Sequence, residues 1–423
     1  MKSLFFYSIA FLIAASTVWG EGILIPMEES SQTNHLKAYG VTYWALQAPR
    51  KYKCEWLLNY RGGSFLIYET QNTRSRAAMK GVTAIPVSDA EIASIHAAIE
   101  KENMEVVPLE KAPKVAVYTP PTADPWDDAV TLALEYADIP YAKIWDGEAL
   151  RGELPRYDWL HLHHEDFTGQ YGKFYASYRN APWYQAQVRE FQASARSAGF
   201  NKVTQHKAAV AKTIREYVEQ GGFLFAMCAA TDSLDIALAA EGVDIVEAPI
   251  DGDGVTPGYQ EKLDFSKTLA FQNFKLIANP MIYEFSDIDT SPSAVTEGAR
   301  YQGDVFQLFE FSAKFDPVPT MLTQDHVMKV KDFWGQTTAF RKALLKPNLI
   351  VLADFPGSGV AKYIHGVRGK GTFTFLGGHD PEDPRHLVGE KDTDLTQYPN
   401  SPGYRLILNN VLFPAAKKKP LKT

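Results

Sequence analysis

Two cysteines, Cys54 and Cys228, are all that this chain of 423 residues contains, which excludes a disulfide framework. A single Cys54 to Cys228 bridge is not expected on that ground either. Lysine and arginine are not in excess: 43 basic residues face 50 acidic ones, for a formal charge of -7. A nucleic-acid partner is therefore not expected, because phosphate binding needs clustered basic side chains. Beyond the first 20 residues no apolar run is long enough to cross a bilayer, so no membrane span is expected. No cysteine follows the N-terminal apolar segment, which argues against a lipid anchor. No repeat period occurs, and the one biased stretch is the basic tail at 417–422, read as a solvated C-terminus.

What is present begins with Lys2, an apolar run over residues 4–15 and small or turn-forming residues up to Gly20. This is the pattern of a secretory signal peptide, so an exported, periplasmic or secreted protein is expected, cut after Gly20. Loss of Lys2 would move the formal charge from -7 to -8. About 400 residues would remain, enough for two or three domains. With 45% hydrophobic and 22% charged residues, the composition is that of a globular protein with a large core.

The expected organisation after residues 1–20 is a small N-terminal α/β domain over 21–110. Its elements are a strand at 23–26, a helix at 32–46, strands at 55–59 and 64–68 around the turn Arg61-Gly62-Gly63, and a helix at 89–100 opened by Ser88. Residues 110–113 read as a linker. From Lys114 strands alternate with helices, which predicts a doubly wound, flavodoxin-like, mostly parallel sheet. Strands are expected at 115–118, 141–144, 159–163 and 223–227, with helices at 125–137, 207–219 and 230–240. Residues 244–346 lose this rhythm and read as an insertion in a domain spanning 114–413. Strands at 349–353, 361–365 and 371–376 and a closing helix at 403–412 follow, and 414–423 is a tail.

The sharpest local feature is Phe223-Leu-Phe-Ala-Met-Cys228-Ala-Ala-Thr231, an apolar strand that ends in a cysteine and passes at once into a helix. A helix N-terminus beneath Cys228 would favour its thiolate, and ligands of open parallel sheets gather at the carboxyl ends of strands. A second apolar strand, within Gly369-Lys-Gly-Thr-Phe-Thr-Phe-Leu-Gly-Gly-His379-Asp-Pro-Glu382, delivers a histidine followed by Asp380 and Glu382. Cysteine, histidine and carboxylate are the nucleophile, base and orienter of an activated-thiol site.

In these two motifs the stretch 114–413 resembles the class I glutamine amidotransferase-like superfamily, whose nucleophile sits at a strand-to-helix elbow and whose His-Pro-Glu follows a late strand. The resemblance implies Cys228 as nucleophile, His379 as base and Glu382 or Asp380 as the orienting acid. It also implies that Gly169, Ala229 and Glu165 lie around the oxyanion or pocket. The elbow here has Ala226 and Ala230 where that superfamily has glycines, and Glu382 stands three residues past the histidine rather than two. The whole chain is also similar to exported Bacteroidota proteins labelled asparagine synthetase B, through Trp56-Leu-Leu-Asn-Tyr-Arg-Gly-Gly-Ser64 and Trp159-Leu-His-Leu-His-His-Glu-Asp166. The motifs of an asparagine synthetase are absent: no N-terminal cysteine nucleophile follows Gly20, and no Ser-Gly-Gly pyrophosphate loop occurs.

His161, His163 and His164, with Asp166, end the strand expected at 159–163. Alternation puts His161 and His163 on one face, so the group could ligate zinc or a similar ion. Asp251-Gly-Asp-Gly254 lacks the later glutamate of a calcium loop and reads as a turn. The aromatic stretch 174–184 reads as a core-covering loop, with a lid or a protein partner's surface as the alternative. The leading expectation is a hydrolase or amidase with a Cys-His-acid site, no cofactor, and a small-molecule or peptide substrate. The alternatives are a non-catalytic binding or assembly protein and a metal-dependent hydrolase at the histidine cluster.

Overall fold

The computed structural model describes residues 21–122, 128–291, 304–317, 324–385 and 387–418. The expected leader at 1–20, the start of the helix expected at 125–137 and the end of the basic tail lie outside them. The chain is mixed α/β with two sheets. The first contains β1 (Gly22–Ile25), β2 (Cys54–Leu58), β3 (Ser64–Ile67), β4 (Ile85–Val87) and β5 (Glu105–Leu109) in the order β4-β1-β3-β2-β5, all neighbours antiparallel. Its helix Asp89–Lys101 starts at a capping box in which Ser88 and Glu91 satisfy each other's backbone N–H groups.

The second sheet contains β6 (Val115–Tyr118), β7 (Tyr141–Ile144), β8 (Trp159–Leu162), β9 (Phe223–Met227), β10 (Val305–Leu308), β11 (Lys329–Lys331), β12 (Phe340–Arg341), β13 (Ile350–Phe355), β14 (Val360–Arg368) and β15 (Gly371–Leu376). The order is β11-β10-β13-β14-β15-β9-β8-β6-β7, with β12 on β14. Strands β7, β6, β8, β9 and β15 are parallel; β14, β13, β10 and β11 continue the sheet antiparallel. The expectation of a mostly parallel sheet is thus met by half of it. The reason is connection length: Gly369 and Lys370 alone join β14 to β15, and a parallel crossover needs a dozen residues or more.

The stretch 244–346, expected as an insertion, supplies β10, β11 and β12 to this sheet. The N-terminal sheet is likewise welded on. One apolar core runs through Ile23, Trp56 and Phe65 of the first sheet to Phe225 and Tyr363 of the second and Leu406 of the closing helix. Helix His35–Leu46 lies so close to the C-terminal end of helix Ala129–Tyr136 that a Cβ on Gly40 would sit 1.8 Å from the Ala137 carbonyl oxygen, so only glycine fits there. Arg405, fully buried on the closing helix Pro402–Leu412, donates to the Met27 carbonyl at 3.2 Å and the Gly62 carbonyl at 2.5 Å. The expected linker is pinned too, Glu110 N–H donating to the Ala415 carbonyl at 2.8 Å. Among the described residues no helix is long and apolar enough to cross a membrane.

Candidate active site

Register decides which residues meet. Thr372 pairs with Phe223 and Leu376 with Met227, while Trp159 pairs with Phe223 and Leu162 with Ala226. The ends of β8, β9 and β15 are therefore level, which brings the residues after them, His163, Cys228 and Gly377 to His379, to one edge. Backbone bonds lock the three ends together: Cys228 N–H donates to the Gly378 carbonyl at 3.2 Å and Ala230 N–H to the His163 carbonyl at 3.0 Å. This is the carboxyl edge of the parallel strands, where open α/β sheets place their chemistry.

Cys228 has φ +48°, the left-handed region that a β-carbon disfavours by roughly 1–2 kcal/mol. The residue sits at a sharp strand-to-helix turn, and the helix Ala230–Ala239 begins two residues on. The sulfur is covered by the loop 332–338. Gln336 N–H donates to it at 3.2 Å, and the Gln336 side chain holds that loop down by donating to the Gly172 carbonyl at 2.9 Å and the Tyr283 carbonyl at 3.1 Å. A Cβ on Gly335 would lie 3.0 Å from the Cys228 sulfur and 2.9 Å from the His379 backbone nitrogen. Glycine is thus required where thiol and His379 backbone approach each other.

The expected thiolate is not the resting form. Burial pushes the Cys228 thiol up to about 12, outweighing the backbone N–H groups of Gln336, Ala229 and Thr337 that favour the anion. The helix N-terminus acts in the direction expected, but desolvation wins with the side chain 3% exposed. Among the described residues the sulfur's hydrogen-bond partners are backbone groups, not an imidazole. The two cysteines are unbridged, as expected.

His379, buried at the same edge, belongs to an imidazole cluster. Its ring centroid lies 4.3 Å from that of His163 and 5.4 Å from that of half-buried His164. His163 Nδ1 lies 3.1 Å from His161 Nε2 and 3.3 Å from an Asp128 carboxylate oxygen. Asp128 also caps the helix Ala129–Tyr136, accepting from Val130 N–H at 2.7 Å. Its carboxyl is held well below the usual range because His161 and His163 outweigh the burial that raises it. His161 in turn is lowered, burial outweighing Asp128, and its Nδ1 sits 3.1 Å from the Phe225 carbonyl.

The expected acids are employed elsewhere. Asp380 accepts from Tyr404 Oη at 2.8 Å and Thr393 Oγ1 at 2.7 Å, so it braces its own loop. Half-buried Glu382 is raised by burial and bonded to Ser401. Asp166 accepts from the Thr168 N–H and hydroxyl, both at 2.6 Å, and from Gly172 N–H at 3.0 Å, which removes it from the expected metal set. Glu165 turns back to accept His163 N–H at 2.7 Å, and burial raises it to about 8. Gly169, expected at the oxyanion, packs against the Thr204 backbone, where a Cβ would lie 2.8 Å from Thr204 Cα. The Ala229 N–H favours the Cys228 anion.

Sequence reasoning missed Asp128, the Gly335-Gln336-Thr337 loop, and Asp232, which burial raises to about 7 while Thr337 Oγ1 donates to it at 3.0 Å. Asp128 before the apolar residues Ala129 and Val130 is a recognisable helix cap; nothing local marks the other two. The minor readings resolve simply. Lys202 pairs with Asp244 at 2.5 Å, with Asp251 at 3.1 Å and with Asp253, so that turn is charge-compensated. Arg61 pairs with Glu28 at 2.6 Å. The stretch 174–184 contains two helix segments around a small aromatic core of Tyr171, Phe174, Tyr184 and Phe191.

No family model and no curated protein matches the chain. Solved structures that match the chain weakly include two cytoplasmic proteins of Salmonella typhimurium. STM3548 is 10% identical, with a TM-score of 0.34 over 72% of this chain and 100% of its own. STM1381, from strain LT2, is 11% identical, with a TM-score of 0.37 over 72% of this chain and 99% of its own. Likeness of that degree carries no argument about fold or activity, and the site rests on its own geometry.

Proposed function

We propose that the chain is a hydrolase or amidase that uses Cys228 as nucleophile, on a doubly wound fold of the class I glutamine amidotransferase-like kind. The observation that carries this reading is the left-handed φ of +48° at Cys228, at a strand-to-helix junction where three backbone N–H groups favour its anion. A cysteine kept only for packing has no need of that strain. Because the resting thiol is neutral, the reaction needs a general base rather than a preformed thiolate. His379 takes the S–H proton as the sulfur bonds to the carbonyl carbon of an amide or ester. The leaving amine or alcohol departs with that proton, and water then cleaves the thioester and regenerates the thiol. Ala229 N–H, following the nucleophile, is the donor for the oxyanion.

The covering loop sets a condition: substrate reaches the sulfur only when 332–338 lifts, and Gln336 is its latch. The apolar segment 4–15 supports an exported enzyme. A purified Cys228→Ala protein is expected to lose hydrolysis of an activated ester or anilide while its near-ultraviolet dichroism is unchanged. Full activity in that variant overturns the reading.

A further inference from the structure

We propose that His163, His164 and His379 bind a divalent transition-metal ion of the zinc class. One nitrogen from each can be chosen so that all three lie within 4.8 Å of one another. They come from loops fixed at the ends of β8 and β15, so the cluster is set by the sheet rather than by mobile side chains. The second observation is His163 itself. It is fully buried, and among the described residues its Nε2 has no hydrogen-bond partner, a rare state for a buried polar atom unless something occupies the lone pair.

The other nitrogen of that ring is already spent. Nδ1 faces Asp128 at 3.3 Å and His161 Nε2 at 3.1 Å. A carboxylate bonded to one imidazole nitrogen holds the proton there and leaves the opposite nitrogen as a lone pair, the arrangement found behind metal-binding histidines. The donors are three imidazole nitrogens, because Asp166 and Glu165 are committed to backbone N–H groups. Such a set suits zinc, cobalt, nickel or copper and rejects calcium and magnesium, which take oxygen ligands. Three protein ligands also leave a coordination position open.

The site differs from the one expected from spacing: His379 replaces Asp166, and His161 moves behind His163. One consequence rests on the thiol reading above. An imidazole bound to metal cannot accept the Cys228 proton, so the loaded protein would be silent in thiol chemistry.

The test is made on the full chain after dialysis against a chelator. Titration with cobalt(II) is expected to give the intense visible bands of a four- or five-coordinate ion, at one ion per chain, bleached by one equivalent of zinc. His164→Ala removes a half-buried ligand and is expected to abolish stoichiometric binding. Asp128→Asn is expected to weaken it about 10- to 100-fold, with dichroism confirming the fold of both. Failure of the wild-type chain to bind a single ion overturns the proposal, and so does undiminished binding in His164→Ala. These readouts need no turnover, so their outcome is separate from that of Cys228→Ala.

Discussion

The resting state of the thiol gives the sharpest quantitative expectation. With burial holding Cys228 near 12, the thiolate fraction at pH 7.5 is about 3 in 100,000, whereas an ordinary thiol of pKa about 8.5 is roughly one-tenth ionised. Iodoacetamide attacks the anion, so native Cys228 should alkylate about 3000-fold more slowly than the same cysteine in the unfolded chain. The covering loop can only slow it further. The assay is a time course in buffer and in urea, with the peptide containing Cys228 quantified by mass spectrometry. Opening the latch with Gln336→Ala removes the bonds to the Gly172 and Tyr283 carbonyls and should accelerate native labelling at least tenfold. Native labelling at the unfolded rate would show that the sulfur is neither buried nor neutral and would refute the reasoning.

Gly335→Ala places a methyl group 3.0 Å from the sulfur and 2.9 Å from the His379 nitrogen; the overpacking should cost about 1–3 kcal/mol in urea unfolding. Asp232 is raised to about 7 in the folded chain, so between its unfolded pKa and that value the native state holds a proton that the unfolded chain has released. Stability should therefore fall as pH rises, by about 3 kcal/mol from pH 5 to pH 8, and Asp232→Asn should flatten that slope. Arg405→Met unpairs the buried carbonyls of Met27 and Gly62 and the nearby Asp325. A loss of about 3–5 kcal/mol is expected, visible as a lowered Tm.

Where one strand carries its own signal, it was readable. β9 and β15 have the ends that their apolar runs indicate, residues 223–227 and 371–376, because strands buried on both faces need no partner pattern to declare themselves. Cys228 and His379 follow from those ends. Direction is legible too: even the five residues between the strands expected at 361–365 and 371–376 are too few for a parallel crossover. The helix Pro182–Ser197 is not among the expected elements, although Tyr184, Gln187, Phe191 and Ala195 are its buried face at helical spacing. Helix Gln71–Lys80 buries only Thr73 and Ala77, too little to leave a periodic trace. Asp166 and Glu165 look like ligands in one dimension, yet their short side chains reach neighbouring N–H groups first. Asp128, 33 residues from His161 in the chain, joins the histidines only because strand register and a helix start bring it there.

In the proposed reaction Cys228 attacks a carbonyl carbon and its proton passes to an imidazole. Incubation of metal-free protein with p-nitrophenyl acetate, followed by mass spectrometry of the digested chain, tests it directly. The expected result is one acetyl group on the Cys228 peptide, absent from the His379→Ala protein. Acetylation confined to surface lysines, with Cys228 unmodified while nitrophenol is released, would contradict it.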